Sequence, residues 1–196
     1  MGVDPGLTRC GVGIVEGQVG RPPTLVGVGV IRTPADMAAP KRLLRIADGL
    51  DEWLGEYRPD VVAVERVFAD QNVLSVIGVA QAVGFAMVAA ERRGIPVFQH
   101  TPTEVKAAIT GSGRADKAQI GKMVARLLKL DEPPKPADAA DAVALAICHL
   151  WRGGAAQRME EAAAKLSAAS SPRPQGARFP RAAARAGVAA ASKVAS

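Results

Sequence analysis

Residues 60–65 read Asp-Val-Val-Ala-Val-Glu, and this stretch decides the fold class. Four apolar residues in succession are typical of a strand that is buried on both faces of a sheet, as parallel strands are. A carboxylate that directly continues such a strand is costly to bury without a partner. We therefore predict that Glu65 ends a central strand and has a functional role there.

The pattern on either side of this strand predicts an α/β fold. An amphipathic helix precedes it at residues 43–57, and an apolar helix over residues 72–93 follows it. A strand at 95–98 comes next, so the order strand, helix, strand predicts a parallel crossover. Three earlier strands, separated by proline-containing turns, are predicted to pair antiparallel. The result is a mixed five-stranded sheet flanked by helices; the three early strands span residues 1–4, 11–16 and 25–32.

Three further helices complete the predicted body of the protein. The first begins at Thr101, where Glu104 three residues later makes a capping-box pattern. The second spans residues 116–130 and the last residues 137–152, after a proline-rich stop. We therefore predict one domain at 1–152. Residues 153–196, rich in Ala and Arg with few large apolar side chains, are predicted to be a flexible basic tail without a stable fold.

Charge and cysteine usage narrow the classes of function. The chain carries a net charge of +6, and residues 91–129 and 153–196 each contribute an excess of positive charge. A polyanion is the expected partner. Cys10 and Cys148 lack the spacing of a disulfide framework or a zinc site. No signal peptide is recognisable, and the apolar run at 73–90 contains interrupting polar residues and glycines, so we expect a buried helix in a cytoplasmic protein.

Four carboxylates suggest a divalent-metal site. Asp4 ends the first strand and Glu65 the fourth, while Asp138 and Asp141 lie three residues apart in the first turn of the last helix and so share a face. Each has an ordinary explanation when taken singly, as a turn residue or a helix cap. Together they would repel one another unless cations bind, and ligation by oxygen alone favours Mg²⁺ or Mn²⁺.

Three motifs that contain these acids resemble one known family. They read Gly-Val-Asp-Pro-Gly-Leu-Thr-Arg-Cys-Gly at residues 2–11, Val-Glu-Arg-Val-Phe at 64–68 and Ala-Asp-Ala-Ala-Asp-Ala at 137–142. In this order they resemble the RuvC family of bacterial Holliday-junction resolvases. The resemblance implies a ribonuclease-H-like fold and paired nicks in a four-way DNA junction. It also implies that Asp4, Glu65, Asp138 and Asp141 bind two Mg²⁺ ions per active site, for which Mn²⁺ can substitute.

The resemblance extends to DNA contacts and partners. It assigns Phe68 to contact with unstacked bases, and Lys106 and Lys117 to the DNA backbone. It places a homodimer interface on helix 72–93, which is apolar almost all round, and implies action with the RuvA and RuvB branch-migration proteins. We interpret His100 and His149 as structural. Further predicted DNA contacts are Arg66, Asn72 and Arg114.

Three alternatives remain open from the sequence. A related ribonuclease-H-like nuclease could act on RNA or simple duplex DNA. An actin-like ATPase is suggested by residues 4–8, which resemble a phosphate loop, although the further nucleotide loops of that superfamily have no counterpart in the sequence. A non-catalytic junction-binding protein is the third, and the presence of all four acids argues against it.

Overall fold

The computed structural model of the chain describes residues 1–18, 20–66 and 73–170. Within them, five strands and five helices follow one another. The strands are β1 (Gly2–Asp4), β2 (Arg9–Glu16), β3 (Thr24–Arg32), β4 (Val62–Glu65) and β5 (Val97–His100). The helices are α1 (Ala39–Tyr57), α2 (Val73–Glu91), α3 (Pro102–Thr110), α4 (Lys117–Leu128) and α5 (Ala137–Ser170).

The strands form a single mixed sheet in the order β3-β2-β1-β4-β5. The β1–β2 and β2–β3 pairs are antiparallel, whereas β4 pairs in parallel with both β1 and β5. This confirms the predicted topology of three antiparallel strands and parallel crossovers. Strand β5 begins later than predicted because Pro96 has no N–H to donate to the ladder. The strand extends to His100, which is the direct neighbour of Glu65 across the parallel pair.

Two apolar cores lie on opposite faces of the sheet. On one face, side chains of α1 and α2 such as Ile46, Leu50 and Val83 pack against Val3 and Val64 of the central strands. On the other face, α3, α4 and α5 form the second core. Its buried members include Ile109, Val124, Val143 and Ile147. The sheet is thus the middle of three layers, and the edge where its central parallel strands end is open to form a site.

The two helices that follow β5 begin with capping boxes. At α3 the Thr101 hydroxyl accepts a hydrogen bond from the Glu104 amide at 3.1 Å, and the Glu104 carboxylate accepts one from the Thr101 amide at 2.7 Å. The prediction from the sequence is confirmed at this helix. At α4 the same reciprocal bonds join Asp116 and Gln119. Each cap satisfies backbone N–H groups that have no partner inside the helix.

The last helix is longer than predicted, since α5 continues beyond Arg152 to Ser170. Residues 1–159 form one compact unit, and the end of α5 lies outside it. The division into a nuclease domain at 1–152 and a basic tail at 153–196 stays a prediction. None of the helices in the part of the chain that the structure describes is long and apolar enough to cross a membrane.

Candidate active site

Two of the four predicted acids end neighbouring parallel strands. Val3 of β1 and Val64 of β4 are partners in the parallel ladder, so the next residue on each strand is a carboxylate, Asp4 and Glu65. The carboxyl ends of parallel strands meet at one edge of a sheet. This pairing brings the two side chains together, although they are about sixty residues apart in sequence.

Glycines on β1 and β2 allow α5 to approach this edge closely. A Cβ atom on Gly11 would lie 2.0 Å from the carbonyl oxygen of Asp138, and one on Gly2 would lie 2.1 Å from that of Ala142. A Cβ on Gly13 would lie 2.7 Å from the Cγ2 atom of Val143. Any side chain at these positions would push the helix away. The glycines therefore bring the first turn of α5 next to Asp4.

The N-terminal end of α5 places the other two acids beside Asp4, each paired with a basic side chain. The Asp141 carboxylate accepts a hydrogen bond from the Nζ atom of Lys117 at 3.0 Å. The Asp138 carboxylate lies 3.7 Å from the Nε atom of Arg9. Only Asp138 lies in the first turn, where the positive end of the helix dipole favours the ionised form; Asp141, predicted for the same turn, follows one turn later on the same face.

Three of the acids line one small cavity of about 250 Å³, into which two lysines also project. Asp138 lies beside this cavity, towards Arg9, and is not among its lining residues. The cavity floor is apolar and belongs to α3, α4 and α5. The lining residues that carry charge are Asp4, Glu65, Asp141, Lys106 and Lys117.

The carboxylates perturb one another strongly. Burial raises the pKa of Asp4 to about 7, and the negative charge of Glu65 adds to that shift. Asp141 and Asp138 act in the same direction. Burial also raises the pKa of Glu65, although Lys117 and a hydrogen bond with Asp4 oppose the shift. The site therefore holds more negative charge than its surroundings can stabilise, and this favours the protonated form of Asp4.

The four acids lie near one another, but the described geometry does not group three of them around one cation. Among residues 1–18, 20–66 and 73–170, no three His, Cys, Asp or Glu side chains lie close enough to share one cation. The sequence predicted that all four acids would hold the ions together. In the described geometry Asp138 and Asp141 are instead engaged by Arg9 and Lys117.

The chemistry of the donors nevertheless suits a hard divalent cation. The anionic donors are carboxylate oxygens, which are the ligands that Mg²⁺ and Mn²⁺ prefer. The raised pKa of Asp4 shows that an added positive charge would be stabilised at this point. Asp4, Glu65, Asp138 and Asp141 are therefore the residues that would hold a cation, and their assignment as metal ligands stays a prediction.

Comparison with known proteins identifies the family. The family model described as crossover junction endodeoxyribonuclease RuvC matches residues 1–149. The chain belongs to the RuvC family. It is 66% identical over 164 residues to the crossover junction endodeoxyribonuclease RuvC of Streptomyces avermitilis, covering 84% of this chain and 93% of that protein. The corresponding protein of Cutibacterium acnes is 69% identical over 164 residues, which is 84% of each chain.

Solved structures of the RuvC family share the fold described above. The structure of Thermus thermophilus RuvC in complex with a Holliday junction substrate matches with a TM-score of 0.75 at 35% identity. The match covers 79% of this chain and 94% of that one. The ribonuclease-H-like fold predicted from the sequence is thereby confirmed.

The DNA contacts expected for a RuvC chain fall in different places. Lys106 and Lys117 line the acidic cavity. Arg114 lies apart from them, in a groove of about 550 Å³ between the α3–α4 connection and α4. Arg66 follows Glu65 directly and is exposed, and its amide donates to the carbonyl oxygen of His100. Phe68 and Asn72 lie outside the described residues.

The structure adds two features that sequence reasoning missed. Arg9 pairs with Asp138, and the only signal for it was its place in the first RuvC motif. His100, read as structural from the sequence, is buried beside Glu65 and shares a 3.0 Å hydrogen bond with His149 on α5. The ring of Phe98 packs against that of His149 with centroids 4.8 Å apart. This contact ties β5 to the helix that carries two of the acids.

Proposed function

We propose that this chain is a Holliday-junction resolvase that cuts two opposing strands of a four-way DNA junction. The observation that carries the proposal is the gathering of four acids from three separate segments at one edge of the sheet, next to Lys106 and Lys117. Hydrolysis of a phosphodiester requires carboxylates for cations and positive charge for the phosphate. Both are present within one cavity.

Asp4, Glu65, Asp138 and Asp141 would hold the cations, and we propose two Mg²⁺ ions, for which Mn²⁺ can substitute. When bound, the ions supply an activated water and stabilise the charge on the departing oxygen. Asp4 must be ionised to become a ligand, and because its pKa is raised to about 7, cation binding should be weaker in acid than at pH 8. Lys117 keeps its proton, because its hydrogen bond with Asp141 raises its pKa. Its ammonium group remains a cation that can bind a phosphate.

The groove along α4 is the proposed path of one duplex arm. Arg114, Lys122 and Arg126 line it, and no acid is among its lining residues. The helix that lines it begins at Lys117, so the same element that reaches the acidic cavity also carries the cations of the groove. Phosphate contacts of this kind position DNA without reading its sequence, and each one makes binding more sensitive to salt.

We propose that α2 forms the interface of a homodimer. Ile77, Phe85, Met87 and Val88 are large apolar side chains exposed on this helix, from 38% for Phe85 to 48% for Val88. Gly84 lies among them, and a Cβ there would have nothing within 4 Å, so the backbone of another helix can approach closely. A two-fold dimer presents two equivalent sites, which suits a substrate with two equivalent strands to cut.

We propose that the segment after the nuclease domain adds affinity for DNA without favouring a four-way junction over a linear duplex. Residues 171–196 contain five Lys and Arg residues and no Asp or Glu. Lys and Arg side chains contribute to DNA binding through release of counterions. Deleting 171–196 should weaken binding to a linear duplex and to a junction by the same factor, and should flatten the salt dependence of both.

We also propose that the chain acts with the RuvA and RuvB branch-migration proteins.

The decisive experiment compares substrates. Purified protein is incubated with a synthetic mobile four-way junction and with linear duplexes of its arms, with Mg²⁺ or with EDTA, and the nicks are mapped. We expect paired nicks at symmetric positions, 5′-phosphate and 3′-hydroxyl ends that ligase can seal, and no cutting in EDTA. Equal cutting of linear duplex or of an RNA hybrid would instead favour a general ribonuclease-H-like nuclease.

Matched variants separate chemistry from binding. Asp141→Asn removes a carboxylate from the cavity and should lower the cleavage rate by at least about a hundredfold while the junction still binds. Asp48→Asn makes the same change at an exposed site on α1 and should leave cleavage unchanged. Equal loss of cleavage in both variants would contradict the assignment of the site.

The dimer has its own pair of variants. Val88→Glu places a charge on the exposed face of α2 and should give a monomer in light scattering, because burying an unpaired carboxylate in an apolar interface is unfavourable. Leu44→Glu makes the same change on α1, where Leu44 is 62% exposed, and should leave the dimer intact. A Val88→Glu protein that remains dimeric would place the interface elsewhere.

A further inference from the structure

A short turn at residues 5–8 joins Asp4 at the end of β1 to Arg9 at the start of β2, and two residues distant in sequence hold it. The Thr33 hydroxyl donates to the carbonyl oxygen of Leu7 at 2.5 Å, and the Thr33 amide donates to that of Thr8 at 3.0 Å. Arg42 donates from Nη2 to the Thr8 hydroxyl at 2.6 Å and from Nε to the Thr33 hydroxyl at 2.9 Å. Three hydrogen bonds therefore hold the turn, and a fourth joins Arg42 to Thr33.

Thr33 satisfies these bonds from a buried position. It is 3% exposed, and it immediately follows the last residue of β3, Arg32. Its hydroxyl has one proton to donate, to Leu7, and accepts from Arg42, so both capacities are used. A buried hydroxyl that lost either partner would be destabilising by about 1 to 3 kcal/mol. The orientation of the Thr33 hydroxyl is thus fixed both by the bond it donates to Leu7 and by the bond it accepts from Arg42.

Arg42 occupies a position that helix rules disfavour. It lies at the N-terminal end of α1, which has no acidic residue in its first turn and no side-chain cap at Ala38. A cation there opposes the positive end of the helix dipole by roughly 0.3 to 1 kcal/mol. The bonds to Thr8 and Thr33 offset this loss. Because a cation at this position does not stabilise α1 itself, we infer that Arg42 has a role in the turn that it contacts.

We propose that Arg42 and Thr33 are positioning residues for the catalytic site, acting through the turn at 5–8. The proposal rests on the proposed function. Neither residue lines the acidic cavity. By fixing Leu7 and Thr8 they set where Arg9 begins β2, and Arg9 faces Asp138 at 3.7 Å. They also restrict the backbone that leaves Asp4. Misplacement of a catalytic group by about 1 Å can lower a rate by about a hundredfold.

The turn is also in contact with α2, which limits how it can relax. A Cβ on Gly78 would lie 3.2 Å from the side chain of Leu7, so the Leu7 side chain packs directly on the helix backbone. With Thr33 and Arg42 on one side and Gly78 on the other, the turn is held between β3, α1 and α2. Loss of the hydrogen bonds would leave only the apolar contact of Leu7.

The test measures the turn and the reaction separately. In protein without metal, hydrogen–deuterium exchange of the segment covering residues 5–10 reports whether the turn is held. Single-turnover cleavage and junction affinity in Ca²⁺ report on chemistry and binding. The variants are Arg42→Gln and Thr33→Val, with Thr33→Ser to restore the hydroxyl. Arg45→Gln removes a cation from an exposed position on the same helix and is the control.

We expect Arg42→Gln and Thr33→Val to speed exchange of segment 5–10 by about tenfold and to slow cleavage by about ten- to a hundredfold, with junction affinity changed less than about threefold. Thr33→Ser and Arg45→Gln should resemble the unaltered protein. Unchanged exchange would overturn the proposal. So would weaker binding with an unchanged cleavage rate, since Arg42 would then be a DNA contact.

Two further outcomes are distinguishable. If Arg42→Gln unfolds the protein, Thr33→Val decides, because valine keeps the shape of threonine and removes only the hydroxyl. Normal exchange and normal cleavage in Thr33→Val would then refute the proposal that Thr33 and Arg42 position the turn. If the unaltered protein cuts no junction, the proposed function fails, whereas exchange of segment 5–10 still shows whether the turn is held.

Discussion

Replacing Asp4 by Asn should make the metal-free protein more stable at pH 8. Burial and the charges of Glu65, Asp141 and Asp138 raise the pKa of Asp4 from 3.8 to about 7. Between these values the folded protein binds a proton that the unfolded chain has released. Stability is therefore lost as the pH rises through this window, and the loss is complete above about pH 7.

The size of the effect follows from the shift. Each pKa unit corresponds to about 1.4 kcal/mol, so a rise of about three units corresponds to about 4 kcal/mol as an upper bound. Because Asp4 is only partly shielded from solvent, we expect a gain of about 2 to 4 kcal/mol at pH 8. Asn also keeps a donor for the Glu65 carboxylate, so the hydrogen bond between these positions can persist.

Urea denaturation in EDTA at pH 4, 5, 6, 7 and 8 measures the effect. The stability difference between Asp4→Asn and the unaltered protein should be near zero at pH 4 and should grow to its full value at pH 8. Asp48→Asn, on an exposed position of α1, should differ by less than about 0.5 kcal/mol at every pH. Mg²⁺ should stabilise the unaltered protein more than Asp4→Asn, since a ligand that binds only the folded state adds to its stability.

A difference that does not change with pH would refute the reasoning, because the gain would then come from packing and not from the charge. A variant less stable than the unaltered protein at pH 8 would also refute it. In that case Asp4 would be stabilised in its ionised form, and the four acids could not be repelling one another as their positions imply.

Two other changes test the architecture around the site. Gly11→Ala should push the first turn of α5 outward by about 1.4 Å, from the 2.0 Å approach to Asp138 to ordinary contact, and should slow cleavage by about a hundredfold. Gly55→Ala, with nothing within 4 Å, should be neutral or slightly stabilising; an equal loss of activity there would contradict the argument. Burial, and then His100, lowers the pKa of His149 to about 4, so stability should fall as pH drops from 6.5 towards 4. His149→Gln should weaken that dependence in urea denaturation, and an unchanged slope would exclude His149 as its source.

The sequence predicted the sheet well because its signals are local. Residues 61–64 are apolar without interruption and thereby mark the central parallel strand, and Thr101 with Glu104 marks the start of α3. The carboxylates at strand ends and at the N-terminal end of α5 follow from the same local patterns. Each of these predictions needs only the residues within a few positions of it.

The contacts of the site could not be read in the same way, because they depend on distances across the fold. Arg9 faces Asp138, and Thr33 reaches Leu7, through the order of strands β3-β2-β1 and not through sequence spacing. The position of β5 is a similar case, because its parallel pairing with β4 places His100 beside Glu65. Residues that act on a site from other elements carry no periodic signal of their own.

Lys117 explains why the acids are neighbours without forming a ligand set. Its ammonium group is 3.0 Å from Asp141 and lowers the pKa of both Asp4 and Glu65, so it acts as a counter-ion inside the cluster. A divalent cation at this place would compete with Lys117 for Asp141 and with a proton for Asp4. The ammonium group of Lys117 would then be available to a phosphate beside the cavity. The carboxylates repel one another when no cation is bound. The same repulsion favours the binding of an added positive charge.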